Sequence, residues 1–544
     1  MESHGVPNMS KSTNTRKTNI YFLFVVLCAA SISGLLYFYW RLKHPPASPS
    51  LPEAAQVKSS VPVRFVPGDI LIRWKAGTPH ATKEAIRSKY QTRLKNEQTF
   101  ATPAAAEESE SALELDTLQT IGTAEAPNDE RSKMLLLDTI NKLSKEIAVQ
   151  AAQPNYIYVP ADSPNATTGF HANDLYYKNG VEWGVTSSST TNQIGANQQS
   201  PHRHRPTRKP QNRRTTASGR SRTVERPRKP RVNASKIDRI VAQSTGLEST
   251  EIHSVQSEYG VKADSAWARG NYGEGVYVGV VDTGVDFKHP DLKTNIWSDI
   301  GMNYYSPDGG PLREWDAAED AHGTHVAGII AAVGNNGKGI IGVAWRSKMI
   351  IAKFMGGIRD EGRTVDAIKA IDFLTDLKRN KSVKIVAINL SWVGGGHDTE
   401  LLGAIKRAAR EEILCITAAG NASDDNDKDV VYPANFDTSK DASDGTPALL
   451  FNSVVSVASI KPDGHLADTS NYGRTNVHIA APGVDIISTC PTDRYCEKSG
   501  TSMAAPFVSG AVALYASTHP KAKAQEIRAA ILKNATQISS LKGL

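Results

Sequence analysis

The C-terminal half of the sequence predicts an α/β fold, a doubly wound parallel sheet with flanking helices. Two observations carry this. Short apolar, β-branched runs recur at 276–281, 349–353, 383–391, 413–419 and 454–458. Among them lie longer segments with helical character, at 364–380, 400–411 and 501–518. Continuous apolar runs of strand length read as strands covered on both faces, and strand–helix alternation implies parallel pairing.

At 544 residues the chain is long enough for more than one domain. A hydrophobic share of 40% and a charged share of 22% suit a globular protein. The net charge of +7 is not spread over it. Residues 201–232 hold twelve Lys/Arg against one Glu, and without them the balance turns negative. This stretch and the Ser/Thr/Asn/Gln-rich segment before it lack apolar periodicity and are expected to be disordered, as an insertion over 187–250. Three readings of the basic stretch stand open: a solvated linker, a cleavage region at Arg213-Arg214 or Arg228-Lys229, and a site for polyanions or acidic lipid. It lacks the aromatic residues that stack on bases, so nucleic acid is not an expected partner.

Residues 1–18 form a short basic tail. Residues 19–40 are an almost uninterrupted apolar run, long enough to cross a bilayer. Lys11, Arg16 and Lys17 precede it, Arg41 and Lys43 follow, and Tyr37 to Trp40 suit the headgroup region. It reads as a signal anchor, or as a signal peptide cut near Ser31-Ile32-Ser33. Either way the expected product is a single-pass membrane or secreted protein, with its catalytic part lumenal or extracellular. Residues 41–61 are Pro/Ser/Ala-rich and read as a linker. Four cysteines do not define a fold. Cys28 lies in the apolar run, Cys415 in a core strand, and Cys490 and Cys496 are close enough for one small loop bridge.

Four motifs carry chemistry. Val281-Asp282-Thr283-Gly284 follows a strand. His322-Gly323-Thr324-His325 comes next, then Ala418-Ala419-Gly420-Asn421 after a second strand. Gly500-Thr501-Ser502-Met503-Ala504-Ala505-Pro506 opens an apolar helix. A serine hydroxyl needs a base to take its proton, and an imidazole titrates in the right range. A carboxylate would fix the imidazole's tautomer, and an amide and a backbone N–H would hold an oxyanion. The helix N-terminus would favour negative charge beside Ser502. Read alone, His322 and His325 could be metal ligands. No carboxylate completes the helical metalloprotease pattern, and no Cys or third His lies near.

In this order, Asp…His…Asn…Ser, the motifs resemble the subtilisin-like serine proteases over about residues 255–540. The resemblance implies a subtilisin-like fold for 251–544 and a serine endopeptidase. Its triad would be Asp282, His322 and Ser502, with Asn421 as oxyanion donor and His325 structural. Strand-like alternation at 63–74, helical character at 80–90, an Ala/Glu/Ser-rich loop at 101–112, an amphipathic stretch at 135–149 and a strand at 151–159 resemble subtilase propeptides. These are small α+β domains that assist folding and inhibit the enzyme. Residues 62–160 are therefore expected to be the chain's own inhibitor, in a zymogen. Residues 161–186 would hold the junction and the start of the catalytic segment, the cut falling between about Val159 and Asn173. The family closes with a turn and helix after the region of Lys533, and Leu544 falls where that element should begin.

The resemblance also implies a Ca²⁺ site. Its ligands would be the side chains of Asp174, Asp291 and Asn336, with the carbonyls of Val333, Lys338 and Ile340. Peptide substrates are expected to pair between 360–362 and 391–394, with Gly362, Ser391, Trp392, Val393, Gly394 and Gly420 as binding residues. Val431 would make the specificity pocket shallow, which suggests broad specificity. Asp360, Glu361 and the acidic residues at 424, 425, 427 and 429 could instead attract basic substrates, as in a dibasic-specific processing protease. An inactive subtilase-like binding protein is the reading from another class.

Overall fold

The structure, a computed structural model, describes residues 63–100, 113–120, 130–162, 167–170, 257–306, 309–312, 320–357, 359–440 and 447–544. The apolar run at 19–40, the linker at 41–61, Asp174 and the insertion at 187–250 lie outside these residues. Among the described residues no helix is long and apolar enough to cross a membrane. All described residues belong to one compact unit within 58–544.

The N-terminal part runs β1 (Arg64–Trp74), α1 (His80–Lys89), β2 (Thr92–Phe100), β3 (Leu113–Thr120), α2 (Glu130–Leu143), β4 (Val149–Pro160). Its strands are antiparallel in the order β2-β3-β1-β4. Ile70, Ile72 and Trp74, alternate residues of β1, meet Ile86 of α1 and Leu136, Ile140 and Leu143 of α2 in a small core of their own. The amphipathic stretch predicted at 135–149 divides here. Helix α2 stops at Leu143, and Val149 already belongs to β4.

The chain continues with β5 (Thr167–Phe170) and then α3 (Ala263–Trp267), β6 (Tyr277–Asp282), β7 (Ile296–Asn303), α4 (Ala321–Ala331), β8 (Lys348–Lys353), β9 (Met355–Gly356), β10 (Glu361–Arg363), α5 (Thr364–Lys381), β11 (Ile385–Leu390), β12 (Trp392–Gly394), α6 (Thr399–Arg410), β13 (Leu414–Ala418), β14 (Val454–Ile460), β15 (Ile479–Pro482), β16 (Ile486–Cys490), β17 (Arg494–Lys498), α7 (Thr501–Thr518) and α8 (Ala524–Lys533). Seven strands form a parallel sheet in the order β15-β14-β13-β11-β6-β8-β7. The period-2 alternation sorts the side chains. Val278, Val280 and Ile351 face α4 and α7, whereas Val281, Ile350 and Ile388 face α5 and α6. From β6 the chain first builds β8 and β7 on one side, then crosses to β11 on the other. The carboxyl ends of β6 and β11 therefore border a topological switch point, where open α/β sheets bind ligands.

Strand β4 belongs to both halves. Its earlier residues pair with β1, and its last ones lie between β10 and β12. The two halves also meet through helix N-termini. The Gln153 side chain donates to Asp398, the cap of α6, and accepts from Thr399 N at 3.2 Å. Tyr156 N donates to Thr364 Oγ1 at the start of α5 (3.1 Å), and Arg73 faces Glu400 at 3.2 Å. The first N–H groups of a helix have no partner inside it, so a side chain from β4 supplies one. Gln153→Ala should leave a buried carboxylate oxygen and Thr399 N short of a partner. The expected cost is about 1–3 kcal/mol, read as the urea midpoint of the full-length chain in a Ser502→Ala background. An unchanged midpoint would show that water replaces the contact.

Candidate active site

Asp282 ends β6, and His322 lies in the first turn of α4. His322 Nδ1 and Asp282 Oδ1 are 2.7 Å apart, both side chains buried. The approach depends on Gly323. A Cβ there would sit 2.0 Å from Gly284 O and 3.1 Å from Asp282 Oδ1, so only glycine lets the helix come this close. Thr283 N donates to Asp282 Oδ1 (2.7 Å), and Gly323 N to Thr283 Oγ1 (3.0 Å).

Ser502 is the second residue of α7, after Gly500 at φ +146°. Pro506 lies four residues on and has no N–H, so the Ser502 carbonyl lacks its helical donor. Ser391 Oγ donates to that carbonyl at 2.8 Å. Ser502 Oγ returns the bond to Ser391 O, also at 2.8 Å. Asn389 Nδ2 donates to Ser391 Oγ (2.8 Å), and Ser509 Oγ to Asn389 Oδ1 (2.9 Å), so the network runs back into α7. Asn421 stands just past β13. Thr501 N donates to its Oδ1 at 3.0 Å, which turns Nδ2 toward the cleft. Gly420 lies beside it at φ +109° and donates through its N–H to Thr501 Oγ1 (3.1 Å). It thus braces the wall behind Asn421.

The cleft is filled by this chain's own residues 157–162. Ile157 and Tyr158 pair with Arg363 and Gly362, and Tyr158, Val159 and Pro160 pair with Gly394, Val393 and Trp392. Ala161 N donates to Ser391 O at 3.3 Å. The Ala161 carbonyl accepts from Ser502 N (3.0 Å) and from Asn421 Nδ2. Its methyl packs with Val393, Ala418, Val431 and Ala434, a small apolar pocket. Tyr158 is fully buried, its ring edge-on to Trp392 with centroids 4.9 Å apart. The Asp162 carboxylate closes the row, with Oδ1 3.1 Å from His322 Nε2 and Oδ2 3.0 Å from Lys498 Nζ.

The sequence profile of the Subtilase family matches residues 273–543. The chain is 38% identical over 259 residues to the major intracellular serine protease of Bacillus subtilis, covering 47% of this chain and 72% of that one. It is 31% identical over 280 residues to subtilisin DY of Bacillus licheniformis, covering 51% and 90%. The chain belongs to the subtilase family. It is a subtilisin-like serine endopeptidase, a hydrolase of polypeptides. Among solved structures, a protease of Pseudoalteromonas arctica shares 30% identity at a TM-score of 0.44, over 52% of this chain and 90% of that one.

In this subtilase the charges around His322 are unequal. Burial pushes its imidazole down, but the carboxylates of Asp282 and Asp162 outweigh that and carry it up to about 10. Burial would raise Asp162, yet the His322 and Lys498 charges hold it below the usual carboxylate range. His325 is different. Burial pushes it down to about 3, and its Nε2 faces two carbonyls, Ile486 O (3.0 Å) and Cys496 O (3.1 Å). It is a neutral donor tying α4 to the β16–β17 hairpin, in which Cys490 and Cys496 are bridged. The acidic loop beyond Asn421 holds itself together. Asp425 pairs with Lys428, and Asp427 accepts from Thr475 N and Asn476 N. Asp360 is half-buried beside the cleft, and burial raises it to about 6.

Of the expected Ca²⁺ ligands, Asp174 lies outside the described residues, and Asp291 and Asn336 are joined by a hydrogen bond. Asp291 Oδ1 accepts from Asn336 Nδ2 (2.7 Å), and Oδ2 from Tyr495 OH (2.7 Å) and Ile340 N (3.2 Å). Asn336 Oδ1 accepts from Lys338 N at 2.9 Å. Both carboxylate oxygens of Asp291 thus accept hydrogen bonds in this structure. The Tyr495 ring fills the loop against Gly339, where a Cβ would lie 2.0 Å from the ring. The carbonyls of Val333, Lys338 and Ile340 therefore belong to a loop closed on a phenol. Among the described residues no group of three or more His, Cys, Asp or Glu could hold a metal.

Tyr495→Phe should lower the thermal midpoint, with about 1–3 kcal/mol lost because Asp291 Oδ2 keeps Ile340 N as a donor and loses the phenol. A midpoint that Tyr495→Phe leaves unchanged would overturn this, and a fall on chelation that added Ca²⁺ restores would establish the expected ion site. A pH effect follows from His322. Its folded value lies above the ordinary 6.5, so the stability it contributes is complete below pH 6.5 and is lost as pH rises through about 10. The full-length Ser502→Ala chain should melt lower at pH 10 than at pH 6.5, and Asp162→Asn should flatten that slope.

Proposed function

We propose that this subtilase is made as a zymogen and that the first bond it cuts is its own Ala161–Asp162 bond. The observation that carries the reading is the Ala161 carbonyl, which accepts from Ser502 N and Asn421 Nδ2 while strand β4 fills the cleft as a substrate would. Residues 63–161 are then the propeptide, and Asp282, His322 and Ser502 the triad. Ser502 Oγ leaves Ser391 O, gives its proton to His322 Nε2 and bonds to the Ala161 carbonyl carbon. Asp282 holds Nδ1–H and stabilises the imidazolium. The carbonyl oxygen takes negative charge between its two donors. His322 passes the proton to the Asp162 nitrogen, the peptide bond breaks, and water then releases Ala161 from the serine.

The pocket around Ala161 also supports a choice of substrate. Val393, Ala418, Val431 and Ala434 carry no charge, so a basic residue there would be buried without a counterion. Small apolar residues before the cut bond fit this pocket, with an aromatic residue three positions earlier against Trp392. This favours a narrower preference than broad specificity and speaks against the dibasic reading. The apolar run at 19–40 supports delivery to a membrane or beyond it, as an anchor or signal peptide.

Expressed in a host without related proteases, the wild-type chain should yield a fragment ending at Ala161 by mass. Ser502→Ala and His322→Ala should remain full-length, and Asn421→Ala should process roughly 10²–10³-fold more slowly because the Ser502 N–H remains. Processing of purified Ser502→Ala at the same bond would show that another protease does the work. Val431→Ala should raise cleavage after Leu relative to Ala, about tenfold for the space of a methylene or two. A peptide library profile checks this, and an unchanged ratio would remove Val431 from the pocket floor.

A further inference from the structure

Lys498 is the last residue of β17, four positions before Ser502, and its side chain is 14% exposed. Pairing with β16 and the Cys490–Cys496 bridge fix its backbone. Its ammonium contacts Asp162 Oδ2 at 3.0 Å, while the other oxygen of that carboxylate lies 3.1 Å from His322 Nε2. The side chain that follows the Ala161 carbonyl is thus received between an ammonium and an imidazole, on the leaving-group side of the bond.

We propose that Lys498 is a specificity-determining residue that selects an acidic side chain immediately after the scissile bond. The inference rests on the reading of Ala161–Asp162 as that bond. A carboxylate there gains two charge-assisted contacts in a partly desolvated place, and a lysine or arginine would meet like charge on both sides. A neutral amide of the same shape would keep the fit and lose the charge. The substrate class is peptides with a small apolar residue before the cut and Asp or Glu after it. The same carboxylate opposes the chemical step. It draws the proton onto His322, which must be neutral to accept one from Ser502. Acidic substrates should therefore show a lower KM and also a lower kcat, a split that mere loosening of the site would not produce.

The test uses processed enzyme generated from the full-length chain and three peptides that share Tyr-Val-Pro-Ala and continue with Asp, Asn or Lys. KM for the Asp peptide should lie about three- to tenfold below that for the Asn peptide, with the Lys peptide weakest. In Lys498→Met the Asp-to-Asn ratio should collapse toward one, and Lys498→Glu should turn the order toward Lys. A ratio that Lys498→Met leaves unchanged overturns the proposal. A second measurement does not depend on cleavage. In the full-length Ser502→Ala chain, Asp162→Asn and Lys498→Met should each lower the urea midpoint, and the double variant should fall no further than the larger single effect. Strict additivity of the two would overturn the assignment. Coupling in a wild-type chain that never cuts after Ala161 would instead sink the reading of the bond while keeping Lys498 as the residue that reads the acid.

Discussion

Strand β4 closes the N-terminal sheet against β1 and then runs on between β10 and β12. An isolated sheet edge leaves a row of N–H and C=O groups open to any strand that arrives. In this chain the edges of the cleft and the free end of the N-terminal sheet satisfy each other. The N-terminal part's own core is small, built mainly on Ile70, Ile72, Trp74 and Leu136. Leu71, Leu115 and Tyr158 join the core under α5 and α6 instead. The two parts are thus partly one hydrophobic structure, and the last residues of the strand have little choice of where to lie.

That constraint also sets the resting state of the site. With Ala161 seated, its carbonyl already accepts from Ser502 N and Asn421 Nδ2, yet Ser502 Oγ and His322 Nε2 are not joined. Ser502 Oγ is turned to Ser391 O, and His322 Nε2 faces Asp162. The exchange between Ser502 and Ser391 exists because Pro506 withdraws one helical N–H and leaves a buried carbonyl to be satisfied. A proline in the second turn of a buried helix thereby becomes part of the site's wiring. Under the proposed self-cleavage, the step needs a rotation of one hydroxyl and the loss of one proton, not a rearrangement of the fold.

Tyr495 links two distant parts of the catalytic half. Its phenol meets Asp291 inside the loop of 333–340, edge-on to His289, with ring centroids 5.2 Å apart. The hydroxyl brings a donor to the carboxylate and ties the loop to β17. Tyr495 sits on the same strand as Lys498, in the hairpin bridged by Cys490 and Cys496. One short, cross-linked element therefore supports the loop on one side and presents Lys498 on the other.

The sequence by itself marked out the parallel sheet, the four motifs in their order and the helix that begins at Ser502, because each rests on local signals. Apolar runs of strand length, a loop residue after a strand and a Gly-Thr-Ser before a helix are visible without neighbours. Helix α4 was not legible as a helix, since Gly and Thr flank its histidines and its apolar residues are buried all round. Strands β7 and β15–β17 were missed because their residues do not alternate cleanly. Only the tertiary structure decided which carbonyl lies between Asn421 and Ser502, that Asp162 stands between His322 and Lys498, and that Tyr495 reaches Asp291 across 204 positions of chain. These contacts join residues far apart in sequence through sheet register and packing. A sequence read locally carries the residue types for such contacts, whereas their pairing arises only when the strands are aligned.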